Sequence, residues 1–194
     1  MLDVTDKSPR PAASDLPPSG QPAMQRARGS ASVSLALRNG ATRLARLGQS
    51  GCAKAFLPKV SGVPEVVFLN TAGGLTGGDR LSYRLNLGDG AHAVATTQTA
   101  ERAYAALPGA APAALDVSIS VGADARLDWL PQETILYDGA ALSRRTELDL
   151  SGAAEATICE TLVLGRAAMG ETLARVALRD LRRIRRDGRP VLAD

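Results

Sequence analysis

Acidic side chains are the residues of this sequence whose types and spacing could do chemistry. Two carboxylates that face one cleft can hydrolyse a glycoside, whereas carboxylates spread along a path can hold a divalent cation loosely. The available groups are Asp79, Glu101, Asp128, Glu133, Asp138, Glu160 and Glu171. Sugar sites generally offer aromatic platforms, and this chain has one Trp and three Tyr. A carbohydrate-active enzyme that uses a carboxylate pair is therefore the alternative and not the first hypothesis.

The histidine and cysteine residues predict neither a nucleophilic catalytic site nor a soft-metal site. The single histidine, His92, lies in an alternating segment at 91–95 with no Ser or Cys motif nearby. Such a residue is typical of a half-buried strand and not of a catalytic base. The two cysteines, Cys52 and Cys159, form no CxxC pair and have no companion histidines. This pattern predicts neither a zinc site nor a disulfide scaffold and suits a reducing cytoplasm.

A glycine-rich loop precedes the first of the carboxylates, as Gly73-Gly74 and Gly77-Gly78 lead into Asp79-Arg80. A P-loop requires Gly-Lys-Ser/Thr opening into a helix, because its Lys and helix N-terminus carry the positive charge. Here a carboxylate occupies that point and an alternating strand pattern follows, so nucleotide binding is disfavoured. Four glycines in six residues instead predict positive φ angles or the close approach of another surface.

Composition and charge narrow the class of partner. The chain has 194 residues, 45% of them apolar and 3% aromatic, and a net charge of +3. Seven arginines lie between Arg175 and Arg189, but without interleaved aromatics and with Asp180 and Asp187 among them, which favours a solvated face or a protein partner over nucleic acid. No apolar run approaches the roughly 20 residues of a membrane span. The early acids and prolines do not form a signal peptide, and a cytoplasmic protein is expected.

The elements that must position these residues are predicted to be strands. Residues 1–28 are rich in Pro, Ser and Ala, which predicts a disordered tail before a single domain at 29–194 with order beginning near Ser32. Asn39-Gly40 predicts a hairpin, and 48–62 resembles a linker. Further strands are predicted at 65–69, 81–87, 115–121, 126–130, 145–150 and 156–164.

Short strands at intervals of about 10–12 residues predict a mainly β protein with mostly antiparallel pairing. The C-terminal part is ambiguous, since the apolar residues of 172–184 have helical spacing while Asp187-Gly188 suggests a hairpin.

Four segments of this chain, in order and in spacing, resemble the UreD (also UreH) family of urease accessory proteins. They are TAGGLTGGDRL at 71–81, TTQTAERAY at 96–104, LDWLPQETILYDGA at 127–140 and LGRAAMGE at 164–171. The Asn39-Gly40 hairpin before them and the RDGRP hairpin at 186–190 also fit. The resemblance covers about residue 30 to the end.

The resemblance implies a β-rich, helicoidal arrangement of stacked antiparallel or mixed sheets with few helices. It implies a non-enzymatic maturation factor that binds apo-urease and, with UreF and the GTPase UreG, helps to insert nickel into the urease active site. No tightly bound cofactor is implied, only Ni²⁺ in transit through an internal passage. Family members usually extend several dozen residues beyond the equivalent of Asp194, so the resemblance also implies that the C-terminal portion of the family is lacking.

Carried over residue by residue, the resemblance assigns family-motif roles and nickel-transit candidates. The motif residues are Gly73, Gly74, Gly77, Gly78, Thr97, Gln98, Tyr104, Trp129, Pro131, Gln132, Glu133, Gly165, Arg166 and Gly170. The carboxylates expected to pass the cation along are Asp79, Asp138, Glu160 and Glu171. The few Cys and His residues suit transit, because tight soft ligands would trap nickel.

Overall fold

The computed structural model describes residues 25–194, and strands dominate it. The short alternating runs noted in the sequence account for most of them, because every second side chain is apolar and turns inward. The strands are β1 (Arg28–Arg38), β2 (Ala41–Gly51), β3 (Ala53–Phe56), β4 (Glu65–Asn70), β5 (Arg80–Leu87), β6 (His92–Thr97), β7 (Glu101–Ala103), β8 (Ala113–Val121), β9 (Arg126–Trp129), β10 (Thr134–Leu136), β11 (Ala141–Leu150), β12 (Glu155–Ile158), β13 (Leu162–Leu164), β14 (Ala177–Arg186) and β15 (Arg189–Ala193). A single 3₁₀ turn at Ala167–Met169 is the helical element of the described part.

The strands form three sheets. Sheet A has seven strands in the order β15-β14-β11-β8-β5-β1-β2, sheet B has five in the order β12-β9-β6-β4-β3, and sheet C has three in the order β13-β10-β7. From β5 onward the chain visits A, B and C in turn, so that β5-β6-β7, β8-β9-β10 and β11-β12-β13 are three successive coils. The mainly β, helicoidal arrangement of mixed sheets is thus confirmed.

The expectation of mostly antiparallel pairing is wrong. Of the twelve strand pairings within residues 25–194, nine are parallel and three are antiparallel. A glycine turn shows where the chain bends but not which strand the next one joins. The turn at Asp89-Gly90 leads from sheet A to sheet B, whereas Asn39-Gly40 and Asp187-Gly188 close hairpins between adjacent antiparallel strands. The φ angles are 51° at Asn39 and 73° at Gly40, and 49° at Asp187 and 77° at Gly188.

Coil stacking places apolar side chains above one another in the core. Leu85, Ile119 and Leu148 are register partners along sheet A, and all three are at most 2% exposed. In sheet B, Leu127 lies between Ala93 and Ala156. Burial of each large side chain contributes about 1.5–3 kcal/mol, so the repeated inward rows hold the coils together.

Several element predictions need correction. The predicted linker at 48–62 contains the end of β2 and all of β3. The predicted single strand at 156–164 is two strands, β12 in sheet B and β13 in sheet C. The ambiguous 172–184 segment leads into the β14–β15 hairpin and not into a helix. Most of the predicted tail, residues 1–24, lies outside the described residues. No helix in the described part is long and apolar enough to cross a membrane.

Candidate functional site

The glycine loop closes against strand β7, as the sequence predicted for so many glycines. Gly74 has φ of 151°, and a Cβ there would overlap the ring of Tyr104 and come within 2.8 Å of the carbonyl oxygen of Arg102. The next residue, Leu75, donates its N–H to that carbonyl at 2.7 Å, and the N–H of Tyr104 returns a bond to Leu75 O at 2.8 Å. Glycine at 74 therefore allows the loop to seal one end of sheet C.

Asp79 holds this loop in place. Its Oδ1 accepts the N–H of Ala27 at 2.8 Å and its Oδ2 accepts the N–H of Thr76 at 2.8 Å, and the residue is 4% exposed. Both oxygens are thus used on main-chain donors. The contacts support a capping role for Asp79.

Asp138 and Glu171 lie next to each other near the surface, where they hold two loops together by hydrogen bonds to the main chain. Asp138 Oδ1 accepts the N–H groups of Ala174 and Arg175, each at 2.8 Å, which lowers the pKa of Asp138. Glu171 accepts the N–H of Asp138 at 3.1 Å and the guanidinium of Arg166 at 2.9 Å, and these bonds, the one from Arg166 first, lower its pKa. The third and fourth motifs therefore come together to fix the loop after β10.

The carbohydrate-active alternative needs two of Asp79, Glu133, Asp138 and Glu171 in one open cleft. Three of these, Asp79, Asp138 and Glu171, use their carboxylate oxygens on main-chain N–H groups. Such carboxylates are caps, and they do not resemble the free acid and base pair of a glycosidase.

Glu160 is the one transit candidate that faces the interior. Its side chain is 4% exposed, and Oε1 accepts the indole N–H of Trp129 and the hydroxyl of Thr146, each at 3.2 Å. Its Oε2 accepts from Arg182 Nε at 3.0 Å and lies 3.5 Å from Arg144 Nη2. Three hydrogen bonds and the ion pair with Arg144 therefore compensate the buried charge of Glu160.

A buried arginine crosses the interior beside Glu160. Arg144 is 3% exposed and forms a two-pronged pair with Asp180, with Nε–Oδ1 at 2.9 Å and Nη2–Oδ2 at 2.5 Å. Burial lowers the pKa of Arg144, but the hydrogen bond and charges of Asp180 and Glu160 outweigh it and raise the pKa. With Arg182 added, two guanidinium groups face two carboxylates, and the cluster is neutral.

Glu101 is the interior carboxylate that the candidate set omitted. It accepts a hydrogen bond from Asn70 Nδ2 at 3.1 Å, and burial raises its pKa from 4.5 to about 7, against a smaller lowering by that bond and by Arg102. Its pairing with Thr134, one coil away, turns it towards the interior. The sequence gives no signal for this, because the repeat that aligns β7 with β10 shares no residue pattern.

These groups line cavities that share walls. A cavity of about 20 Å³ beside Asn70 and Gly74 and a second of about 30 Å³ beside Trp129 and Arg144 are both lined by Tyr83, Thr97 and Glu101. The second cavity shares Glu160 with an open groove of about 620 Å³. We call the polar groups along this line the interior polar row: Asn70, Thr97, Glu101, Thr134, Arg144 and Glu160.

The remaining motif residues divide between this row and the surrounding frame. Thr97 accepts the N–H of Gln132 at 3.0 Å, and Pro131 and Gln132 line the second cavity. Trp129 packs edge-on to Phe68 at 6.1 Å between ring centroids. Three of the others act through main-chain hydrogen bonds: the N–H of Gln98 donates to Phe68 O, the N–H of Glu101 donates to Glu133 O, and the N–H of Gly165 donates to Leu136 O. Gly73, Gly78 and Gly170 are turn residues with positive φ. Gly77 packs against Ala106 and Ala110.

The interior polar row lacks the donor set of a resident metal site. Among residues 25–194, no three His, Cys, Asp or Glu side chains are grouped so that they could hold a metal ion. Glu101 and Glu160 lie at different junctions of the cavities, each with its own hydrogen-bond partners. The row can therefore offer successive single carboxylates and hydroxyls to a cation, but no chelating cage.

Comparison with known proteins identifies the sequence family. A family model described as UreD urease accessory protein matches residues 27–194. Curated relatives named urease accessory protein UreD include those of Cereibacter sphaeroides ATCC 17025, 62% identical over 88% of this chain, Dinoroseobacter shibae, 57% over 88%, and Paracoccus denitrificans, 54% over 88%. The chain spans 62%, 61% and 60% of the length of these relatives, respectively. By these names the family is one of accessory factors and not of catalysts.

Proposed function

Because the chain belongs to the UreD family of urease accessory proteins, we propose that it is a urease maturation factor with no turnover of its own. In this proposal it works in the cytoplasm, binds apo-urease and, together with UreF and through UreF with the GTPase UreG, helps nickel to reach the urease active site. GTP hydrolysis belongs to the partner, since the glycine loop of this chain is packed against Tyr104 and is closed by Asp79.

We further propose that Ni²⁺, as cargo, moves along the interior polar row. The observation that carries this is the pair of carboxylates at the junctions of the cavities, with the half-buried Glu101 between the first and second and Glu160 between the second cavity and the open groove. A core of Leu, Val and Ala has no structural need for such a row, and each buried polar group costs free energy unless it is paired.

The state of Glu101 suits a transient ligand. Burial raises its pKa to about 7, so near neutral pH the carboxyl group is divided between the protonated and the ionised form. An approaching divalent cation favours the ionised form and displaces the proton. When the cation leaves, the proton returns, so the proton and the cation compete for this carboxylate near neutral pH.

The neutral cluster around Glu160 has a complementary effect. The positive charges of Arg144 and Arg182 already compensate the negative charges of Glu160 and Asp180, so the cluster does not bind a cation tightly. A dication must compete with a guanidinium for the same oxygens, which shortens its stay. Weak, successive sites of this kind support transport and not storage.

The test is nickel-dependent activation of urease in cells that lack the endogenous homologue and express this chain with UreF, UreG and urease. We expect Glu101→Gln to reduce activation while the complex with UreF and apo-urease still assembles. Glu155→Gln, an exposed change on β12, is the matched control and should activate normally. Normal activation by Glu101→Gln would remove the interior polar row from the mechanism, and normal activation without any form of this chain would refute the maturation role itself.

A further inference from the structure

The free edge of sheet A is formed by β2. Within residues 25–194 this strand pairs with β1 alone, over its whole length from Ala41 to Gly51. Long unpaired edges expose a row of N–H and C=O groups that can pair with another chain, and many proteins shorten or cover them. This one is eleven residues long and exposed along most of its length.

A bulge gives β2 two chemically different faces. Leu44 pairs with Leu35 and Leu47 pairs with Val33, both buried core residues, although Leu44 and Leu47 are three positions apart. The register shift between Leu35 and Ser34 makes this spacing fit, because it adds one residue to β2. Cross-strand partners share a face, so both leucines continue the apolar face of the core beyond β1 and remain 43% and 40% exposed.

The opposite face of β2 is basic. Arg43 pairs with Ala36 and Arg46 with Ser34, which places both arginines on the outer face of sheet A. Residues 28–64 contain six basic side chains and no acidic one, and within the described residues Arg43 and Arg46 form no ion pair. Towards the other edge of the sheet, Arg183 and Arg185 of β14 are paired with Glu147 and Asp149 of β11.

A groove runs beside the apolar face of β2. It has a volume of about 660 Å³ and lies between the start of β2, the loop after β3 and the start of β6. Its apolar lining includes Leu44, Leu57, Val60 and Val63, Arg43 and Lys59 also line it, and the described lining residues include no carboxylate. Leu44, Val60 and Val63 are 43%, 46% and 37% exposed.

From the free edge, the two faces and the groove we infer that β2 is a docking edge for an extended acidic segment of a partner protein. The segment adds as a further strand of sheet A, with alternate residues apolar and acidic. Its apolar side chains lie beside Leu44 and Leu47, and those beside Leu44 enter the groove. Its carboxylates lie beside Arg43 and Arg46 on the outer face. Main-chain bonds supply affinity and the alternation supplies specificity.

A second copy of the same edge is the weaker fit. Pairing of β2 with β2 would bring the arginines of both copies onto one outer face with no acidic residue in either strand. Like charges that face each other across strands are destabilising. The inference is independent of whether nickel follows the interior polar row.

The experiment uses the full chain and a short fluorescent peptide of alternating valine and glutamate, with binding followed by anisotropy. Matched probes are the same peptide with lysine for glutamate, and the acidic peptide methylated on the alternate amide nitrogens that would pair with β2. We expect the acidic peptide alone to bind, and its affinity to fall as ionic strength rises. Arg46→Glu should weaken it about tenfold, because one favourable exposed charge contact becomes a repulsion.

The control variant is Arg189→Glu, which makes the same charge change on the opposite edge strand β15, and it should leave binding unchanged. Leu44→Ser should weaken binding while Arg189→Glu does not, which separates the groove from general charge. Equal binding of the lysine peptide, no effect of amide methylation, or equal effects of Arg46→Glu and Arg189→Glu would each overturn the inference. Dimerisation of the chain that Leu44→Ser abolishes would overturn it in favour of a second copy.

Discussion

Glu101→Gln tests the electrostatics of the interior without any partner. The variant keeps an oxygen that can accept the hydrogen bond from Asn70 but cannot ionise. Burial raises the pKa of Glu101 from 4.5 to about 7. At 1.36 kcal/mol per pKa unit, the ionised carboxylate therefore lowers the free energy of unfolding by roughly 3 kcal/mol above neutral pH.

The sign of the pH dependence follows from where the proton resides. Between pH 4.5 and about 7 the folded state keeps the proton on Glu101 while the unfolded chain has released it, so stability falls as pH rises through this window. Below the window both states are protonated and the contribution of Glu101 is fully retained. We expect Glu101→Gln to exceed the parent in stability by more at alkaline pH than at acid pH, with a change of roughly 3 kcal/mol across the window.

The assay is urea denaturation of the parent and the variant, followed by circular dichroism, at several pH values on both sides of the window. Only the difference between the two proteins is used, since all other titrating groups are shared. Glu155→Gln, at an exposed position of β12, supplies the baseline for loss of one surface charge. A difference between Glu101→Gln and the parent that stays constant with pH would refute the burial argument, and with it the proton-exchange step proposed for nickel.

Three further predictions concern the frame around the row. Arg144→Met removes the two-pronged partner of Asp180 and leaves Glu160 paired with Arg182 alone, and it should lower the free energy of unfolding by about 3–5 kcal/mol in urea denaturation, with the double change Arg144→Met and Asp180→Leu less destabilising than the single one. Gly74→Ala should cost more stability than Gly73→Ala, because a methyl group at 74 overlaps Tyr104 while the space beside 73 is open; equal losses would contradict the close-approach argument. Asp138→Asn should lower Tm at neutral pH, and the loss should shrink as pH falls below the ordinary pKa of 3.8, since the parent carboxylate then loses its advantage.

Much of the secondary structure could be predicted from residue alternation. The run from Leu81 to Leu87 predicts β5 because alternate side chains must face a core, and the structure buries Leu81, Tyr83, Leu85 and Leu87. The two hairpin turns were predictable because Asn-Gly and Asp-Gly accept positive φ at both positions. Strand partners were not predictable in this way, because the bend at Asp89-Gly90 gives no information about the sheet that receives the next strand.

The candidate site was predicted only in part. Of the four transit candidates, Glu160 faces the interior, while Asp79, Asp138 and Glu171 cap main-chain N–H groups. A carboxylate beside a glycine turn has the same sequence context whether it caps that turn or faces a cavity. Burial, which distinguishes the two cases, depends on residues from other coils.

What the sequence determined by itself is the local content of the molecule: strands, turns, the glycines that permit close approach, and the motif series that identifies the family. Tertiary structure alone decided that the strands run parallel in stacked coils and that Glu101 lies above Thr134 on the same interior line. The physical reason is the distance along the chain between the groups that interact. Alternation and turn chemistry act over a few neighbouring residues, whereas the desolvation that raises the pKa of Glu101 and the pairing of Arg144 with Asp180 arise between groups more than thirty residues apart in the chain, brought together when one coil packs on the next.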